Sequence, residues 1–73
     1  MAYQAILDRQ GVYRLLLEEY PEGTYVLVFE TSMAPAPAKD YLQLNLEMAK
    51  RACEQDFGTS DSDWNEVPNE RWH

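Results

Sequence analysis

Residues 3–31 alternate between short runs of β-prone, largely apolar side chains and two tight-turn signals. The segment 8–11 ends in Gly11, and the segment 20–23 combines Pro21 with a final glycine. Glycine tolerates the left-handed backbone that closes such turns, and proline presets the backbone angle of the second turn residue. The pattern predicts an antiparallel meander of roughly three strands joined by two hairpin loops of about three residues each.

Loops of that length determine the register of both hairpins. In this register Asp8 lies opposite Val12, and Tyr20 lies opposite Thr24. One face of the predicted sheet is then almost wholly apolar and carries Tyr3, Ala5, Leu7, Tyr13, Leu15, Leu17, Leu27 and Phe29. The opposite face mixes a second apolar group with charged residues and carries Gln4, Ile6, Arg14, Leu16, Glu18, Val26, Val28 and Glu30.

Prolines alternate with alanines in residues 32–39, so this Ala/Pro segment is expected to be an extended connector. A helix is predicted to begin after Asp40, because Gln43 three residues later resembles a capping box. Gly58 is its expected end. Apolar side chains at helical spacing would cover one face of the sheet, and they are Leu42, Leu46, Ala49, Cys53 and Phe57.

Ser60 is the expected cap of a short C-terminal helical turn, in which Trp64 and Val67 share a face before Pro68 ends it. Residues 68–73 are expected to fray. The sequence therefore predicts a single α+β domain over residues 1–73. Its expected architecture is βββα, a three-stranded antiparallel meander with one helix packed on one face, followed by the short turn.

Charge and length narrow the classes of function. The 73-residue chain has 13 acidic and 6 basic residues, a formal charge of −7. Such a charge repels nucleic-acid backbones and anionic membrane surfaces, so neither is an expected partner. No apolar run approaches the length of a membrane span, and the N-terminus lacks the pattern of a secretory leader. The expected location is the cytoplasm.

The sequence offers little catalytic chemistry. Cys53 is the only cysteine, and its helical neighbours Ala49 and Phe57 supply neither a base nor a positive charge, so we expect a buried structural thiol. His73 is the last residue, where a side chain is hard to hold in a catalytic geometry. No catalytic residue, cofactor site or nucleotide-binding loop is predicted, and an enzyme is not expected.

The spacing of Asp61, Asp63 and Asn65 matches the first ligand positions of a calcium loop. The sixth position is Glu66 instead of glycine, and the twelfth is Trp72 instead of glutamate. A solvated acidic turn is the expected structure, and no metal site is predicted.

The surplus of apolar surface is the feature that points to a function. One helix covers one face of a small sheet, and exposed apolar patches of this kind mark protein contacts. The candidate interface residues are Ile6, Leu16, Tyr20, Val26, Val28, Leu44 and Met48. The alternative is that the C-terminal segment with Trp64, Val67 and Trp72 folds over the second sheet face.

Two functions follow as hypotheses. The first is a non-enzymatic protein-interaction module, either a homodimer or an accessory subunit. The alternative is an acidic inhibitor or immunity-type protein that covers a basic site on an enzyme with acids of residues 40–63.

Overall fold

The computed structural model describes residues 1–72. They form an α+β fold with one antiparallel sheet. Its elements are β1 Ala2–Arg9, β2 Val12–Tyr20, β3 Gly23–Phe29, β4 Lys39–Gln43, α1 Leu46–Phe57, a single-turn 3-10 helix at Asp61–Asp63, and β5 Asn65–Val67. The five strands lie in the order β4-β3-β2-β1-β5. The α+β class and the meander of β1, β2 and β3 are confirmed, whereas β4 and β5 were not predicted. His73, considered above for catalysis and as part of the tail, lies outside the described residues.

The register of the first hairpin is confirmed over most of its length. Tyr3 lies opposite Leu17 and Ala5 lies opposite Leu15, as predicted. The end next to the turn differs, because Val12 pairs with Arg9 instead of Asp8. Asp8 takes a left-handed backbone with φ 50°, within an irregularity between residues 6 and 9. The strand therefore absorbs one extra residue as a bulge, which restores the alternation of faces beyond it.

The predicted register of the second hairpin is wrong by one residue. Tyr20 pairs with Gly23, not with Thr24, so the loop has two residues instead of three. A shift of one residue turns every side chain of a strand to the other face. Val26 and Val28 consequently face α1, and Leu27 and Phe29 face the opposite side.

The sheet has a buried cluster on each face. The cluster under the helix consists of Leu15, Leu17, Val26, Val28, Ala49 and Cys53. The cluster on the other face consists of Ala2, Leu16, Leu27 and Phe29, and Tyr25, Ala34, Val67 and Trp72 pack against it. Both faces are therefore covered by the chain itself.

The start of the predicted helix is wrong. Residues 39–43 form β4 and pair with β3, and the helix begins only at Leu46. Asn45 is its N-cap, and its side-chain oxygen accepts a hydrogen bond from the Met48 amide at 2.9 Å. The end at Gly58 is confirmed, since its backbone is left-handed and its N–H donates to the Glu54 carbonyl. Asp40 and Gln43, taken for a capping box, belong to the strand.

The C-terminal helical turn is shorter than predicted. The 3-10 helix covers only Asp61–Asp63, and the Ser60 amide donates to the Asp63 carboxylate at 2.8 Å. Residues 65–67 then pair with β1 as strand β5. Because this segment is extended, Trp64 packs against the cluster under the helix and Val67 against the cluster on the other face, instead of sharing one face.

Residues 68–73, predicted to fray, include a segment that is hydrogen-bonded to the sheet. The Glu18 side chain is fully buried, and its carboxylate accepts hydrogen bonds from the backbone amides of Glu70, Arg71 and Trp72. Arg71 has a left-handed backbone, φ 61°, which suits a concave run of amides around an anion. Glu18 thus anchors the C-terminal segment across the second sheet face.

The C-terminal segment also contacts Arg14 and Phe29 of the sheet. The Arg14 guanidinium forms a two-pronged ion pair with Glu70, at 2.6 and 3.0 Å, and lies 4.1 Å from the centre of the Phe29 ring. Trp72 packs edge-on against the same ring, with the ring centres 5.5 Å apart. Glu70 and Trp72 therefore hold the C-terminal segment against Arg14 and Phe29 of the sheet.

Candidate functional site

Strand β4 forms one edge of the sheet. It pairs with β3 on one side, and no other strand of the described residues pairs with its outer side. All of its residues are exposed except Gln43, which is half-buried. An edge strand carries backbone N–H and C=O groups that another strand can pair with. Strand β5 forms the other edge but has only three residues against five in β4, so the β4 edge offers the longer surface for a further strand.

Apolar side chains accompany this edge. Tyr41 lies opposite Val26 and hence on the helix side of the sheet, while Leu42 lies opposite Tyr25 on the other side. Leu44 follows the strand, and Met48 lies in the first turn of α1. We call the four exposed side chains of this stretch the edge patch, and they are Tyr41 at 44%, Leu42 at 51%, Leu44 at 77% and Met48 at 44% exposure. Together the strand edge and the edge patch offer both hydrogen bonds and apolar area.

A groove of about 130 Å³ lies beside the edge, between β4 and α1. Tyr41 and Gln43 form the wall on the strand side, and Asp56 and Phe57 form the wall on the helix side. Its remaining lining is Val26, Ala52 and Cys53. The groove thus combines aliphatic and aromatic side chains with one carboxylate and one amide.

The thiol in this groove is inert. Cys53 is 1% exposed, and burial raises the pKa of its thiol to about 12, with a further contribution from the negative charge of Asp56. A thiolate is the nucleophilic form, and burial of this kind suppresses it at neutral pH. The buried structural cysteine predicted from the sequence is confirmed.

The structure distributes the candidate interface residues over three environments. Leu16, Val26 and Val28 are buried within the chain, and Tyr20 is half-buried with its hydroxyl donating to Glu18 at 3.2 Å. Ile6 is 48% exposed on β1, far from β4 in the strand order. Leu44 and Met48 are exposed and belong to the edge patch. Of the seven candidates, only these two are both exposed and close to β4 in the chain.

Tyr41 and Leu42 were missed as surface residues, because they fit the helical spacing of the next segment. One local signal favours a later helix start: Asn45 is a strong helix N-cap four residues after Tyr41. A helix that begins after Asn45 leaves the preceding residues for a strand.

The acidic residues near the 3-10 helix are not arranged as a metal site. Asp63 accepts the Ser60 amide, and Asn65 begins strand β5. Over residues 1–72, no group of three or more Asp, Glu, His or Cys side chains is placed to hold a metal ion.

A second, larger groove of about 340 Å³ lies between α1 and the 3-10 helix. Both signs of charge line it, with Lys50 and Arg51 beside Glu47 and Glu54. Arg51 pairs with Glu47 at 3.2 Å, one helical turn away. Since its charges are exposed and mixed, this groove favours no ligand class as clearly as the β4 edge does.

Among the described residues, no helix combines the length and apolar character needed to cross a membrane. Comparisons with protein-family models, curated proteins and solved structures found no match for this chain.

Proposed function

We propose that this chain is a non-enzymatic interaction module that binds an extended segment of a basic partner protein as a sixth strand beside β4. The observation that carries the proposal is the exposed β4 edge with its edge patch. Strand addition gains affinity from main-chain hydrogen bonds, and side-chain contacts on the two faces add selectivity. The cytoplasm remains the proposed compartment.

Charge favours a basic partner over a second copy of the chain. Two copies at −7 each repel one another, whereas a basic segment is attracted and is guided to the surface. Asp40 within β4 and Asp56 at the groove contribute two negative charges near the edge, against the one positive charge of Lys39 in β4.

Peptide selection on the purified chain tests this proposal. A random library of extended peptides is selected for binding, and the amides that respond are mapped by ¹⁵N NMR. We expect the selected peptides to be basic and β-prone, and to shift the amides of residues 39–43. Selected peptides without a basic bias, or shifts confined to other strands, would contradict the proposal.

A matched pair of variants locates the contact. Leu42→Ser and Ile6→Ser remove aliphatic side chains of similar exposure, 51% and 48%, from strands at different places in the sheet. Fully burying a leucine side chain contributes about 1.5–3 kcal/mol, and Leu42 is already half-buried, so we expect Leu42→Ser to weaken peptide binding about three- to tenfold. Ile6→Ser should leave the affinity unchanged. Equal losses in both variants, or a purified chain that sediments as a dimer with β4 protected, would overturn the proposal.

The alternative function is an acidic inhibitor that covers a basic site on an enzyme. One observation supports it: Glu54, Asp56 and Asp61 on α1 and the 3-10 helix form no ion pair within residues 1–72. In that case binding depends steeply on salt and shifts amides of residues 46–63 instead of β4. The same NMR mapping therefore separates the two functions.

A further inference from the structure

We infer that the groove between β4 and α1 is a subsite for one lysine or arginine side chain of the added strand. This inference rests on the proposed function and names the side chain that the groove selects. Three properties carry it: the lining of the groove, the charge at its wall, and the direction of side chains on a strand beside β4.

The lining suits a side chain that is apolar along its length and charged at its end. Val26, Phe57 and the Tyr41 ring provide surface for a chain of methylene groups. Lysine and arginine bury such stems against apolar surface while their charged ends reach polar groups. Asp56 is exposed and lies at the wall of the groove, where it can receive the charged end.

The Asp56 carboxylate is available for this contact. It forms no ion pair or hydrogen bond with another side chain in the described part of the protein. Asp56 and Cys53 line the same groove, so the negative charge of Asp56 is close to its interior and adds to the effect of burial in raising the pKa of Cys53. The same field attracts a cation there and repels an acidic side chain.

Strand geometry directs one set of partner side chains toward the groove. Residues directly opposite each other on neighbouring strands point to the same face of the sheet. A partner residue opposite Tyr41 or Gln43 therefore points to the helix side, where the groove lies. Its immediate neighbour in the partner points to the other side, next to Leu42, where an apolar residue fits. The expected pattern in the partner is a basic residue adjacent to an apolar one.

A double-mutant cycle on a selected peptide tests the subsite. In the protein, Asp56→Asn removes the charge at the groove. Glu54→Gln removes another exposed charge of α1, one that does not line the groove. In the peptide, the basic residue is replaced by norleucine, which keeps the apolar stem. Thermal unfolding of both protein variants checks that each remains folded.

We expect Asp56→Asn and the norleucine peptide each to weaken binding about two- to fivefold, as for an accessible ion pair. The norleucine change should then have little further effect on the Asp56→Asn variant. Glu54→Gln should weaken binding less than Asp56→Asn.

The outcomes separate this inference from the proposed function. If peptides still shift the amides of residues 39–43 but tolerate norleucine, or respond alike to Asp56→Asn and Glu54→Gln, the subsite is wrong and strand addition stands. If no peptide acts on β4, both are wrong.

Discussion

At the scale of single residues, Glu18 has the most demanding environment in the protein. Burying a carboxylate is costly unless hydrogen bonds replace its water. Here three consecutive backbone amides and the Tyr20 hydroxyl supply those bonds. The charge is therefore compensated by the C-terminal segment that it holds, and each depends on the other.

Substitution of Glu18 by glutamine tests this dependence. The amide NH2 of glutamine places donors where the C-terminal amides also donate, so at least one buried donor loses its partner. We expect Glu18→Gln to lower the free energy of unfolding by about 2–3 kcal/mol. Glu19→Gln, the neighbouring and less buried position on β2, should cost less than about 0.5 kcal/mol. Urea unfolding of both variants measures the difference, and equal effects would contradict the role of Glu18.

At the scale of elements, the position of β4 depends on a close approach at the start of β3. Gly23 has φ +146°, and a Cβ atom built on it would collide with the backbone carbonyl of Gln43. The missing side chain therefore allows the last residue of β4 to lie against β3. This contact helps to place the edge strand and, with it, the edge patch.

A pair of alanine substitutions separates this contact from backbone strain. Gly23→Ala and Gly11→Ala both place a side chain at a positive φ, but the space around Gly11 is open. We expect Gly11→Ala to cost about 1–2 kcal/mol from strain alone, and Gly23→Ala to cost roughly 1–3 kcal/mol more from the collision. Hydrogen exchange should show a selective loss of protection in residues 39–43 for Gly23→Ala. Equal destabilisation, with β4 protection retained in both, would show that the close approach is unimportant.

At the scale of the whole molecule, the two faces of the sheet are covered by different kinds of element. The helix covers one face with apolar side chains at a regular spacing. The C-terminal segment covers the other face through Val67 and Trp72, and is held there by ionic contacts. The packing of the helix depends mainly on apolar burial, whereas the packing of the C-terminal segment also depends on charge. Acid should therefore weaken the packing of the C-terminal segment.

The pH dependence of stability follows from Glu70. Hydrogen bonding to Arg14 lowers the pKa of the Glu70 carboxyl, with burial opposing and the Trp72 indole assisting. A lowered folded pKa means that the contact stabilises the protein above the unfolded value of about 4.3, and that this contribution is lost as the pH falls through the folded pKa. At pH 7, Glu70→Gln should cost about 0.5–1 kcal/mol, because the pair is partly exposed.

Urea unfolding at several pH values checks this prediction. The difference between wild type and Glu70→Gln should be constant near neutrality and should shrink toward zero as the pH falls below about 4.3. Glu66→Gln, an exposed position on β5, serves as the control and should show a much smaller difference. A Glu70 difference that does not change with pH would rule out the ionic contribution.

Several features of the fold could be predicted from residues that lie close together in the sequence. The two hairpins, the stripe of Leu46, Ala49, Cys53 and Phe57, and the helix end at Gly58 were predicted correctly in kind. Each depends on residues that lie close together in the chain: turn formers, side chains one helical turn apart, and a glycine that accepts a left-handed backbone. The burial of Cys53 followed from the same helical stripe.

Only the tertiary structure decided the remaining features. A two-residue loop after Tyr20, in place of a three-residue one, turned Val26 and Val28 under the helix, and turn residues alone do not determine that length. Strands β4 and β5 exist because the outer edges of β3 and β1 offer backbone partners distant in sequence. The anchoring of the tail by Glu18 spans more than fifty residues of chain. Such long-range pairings leave no periodic signal, and they place the exposed edge at β4, away from most of the residues that the pattern had indicated.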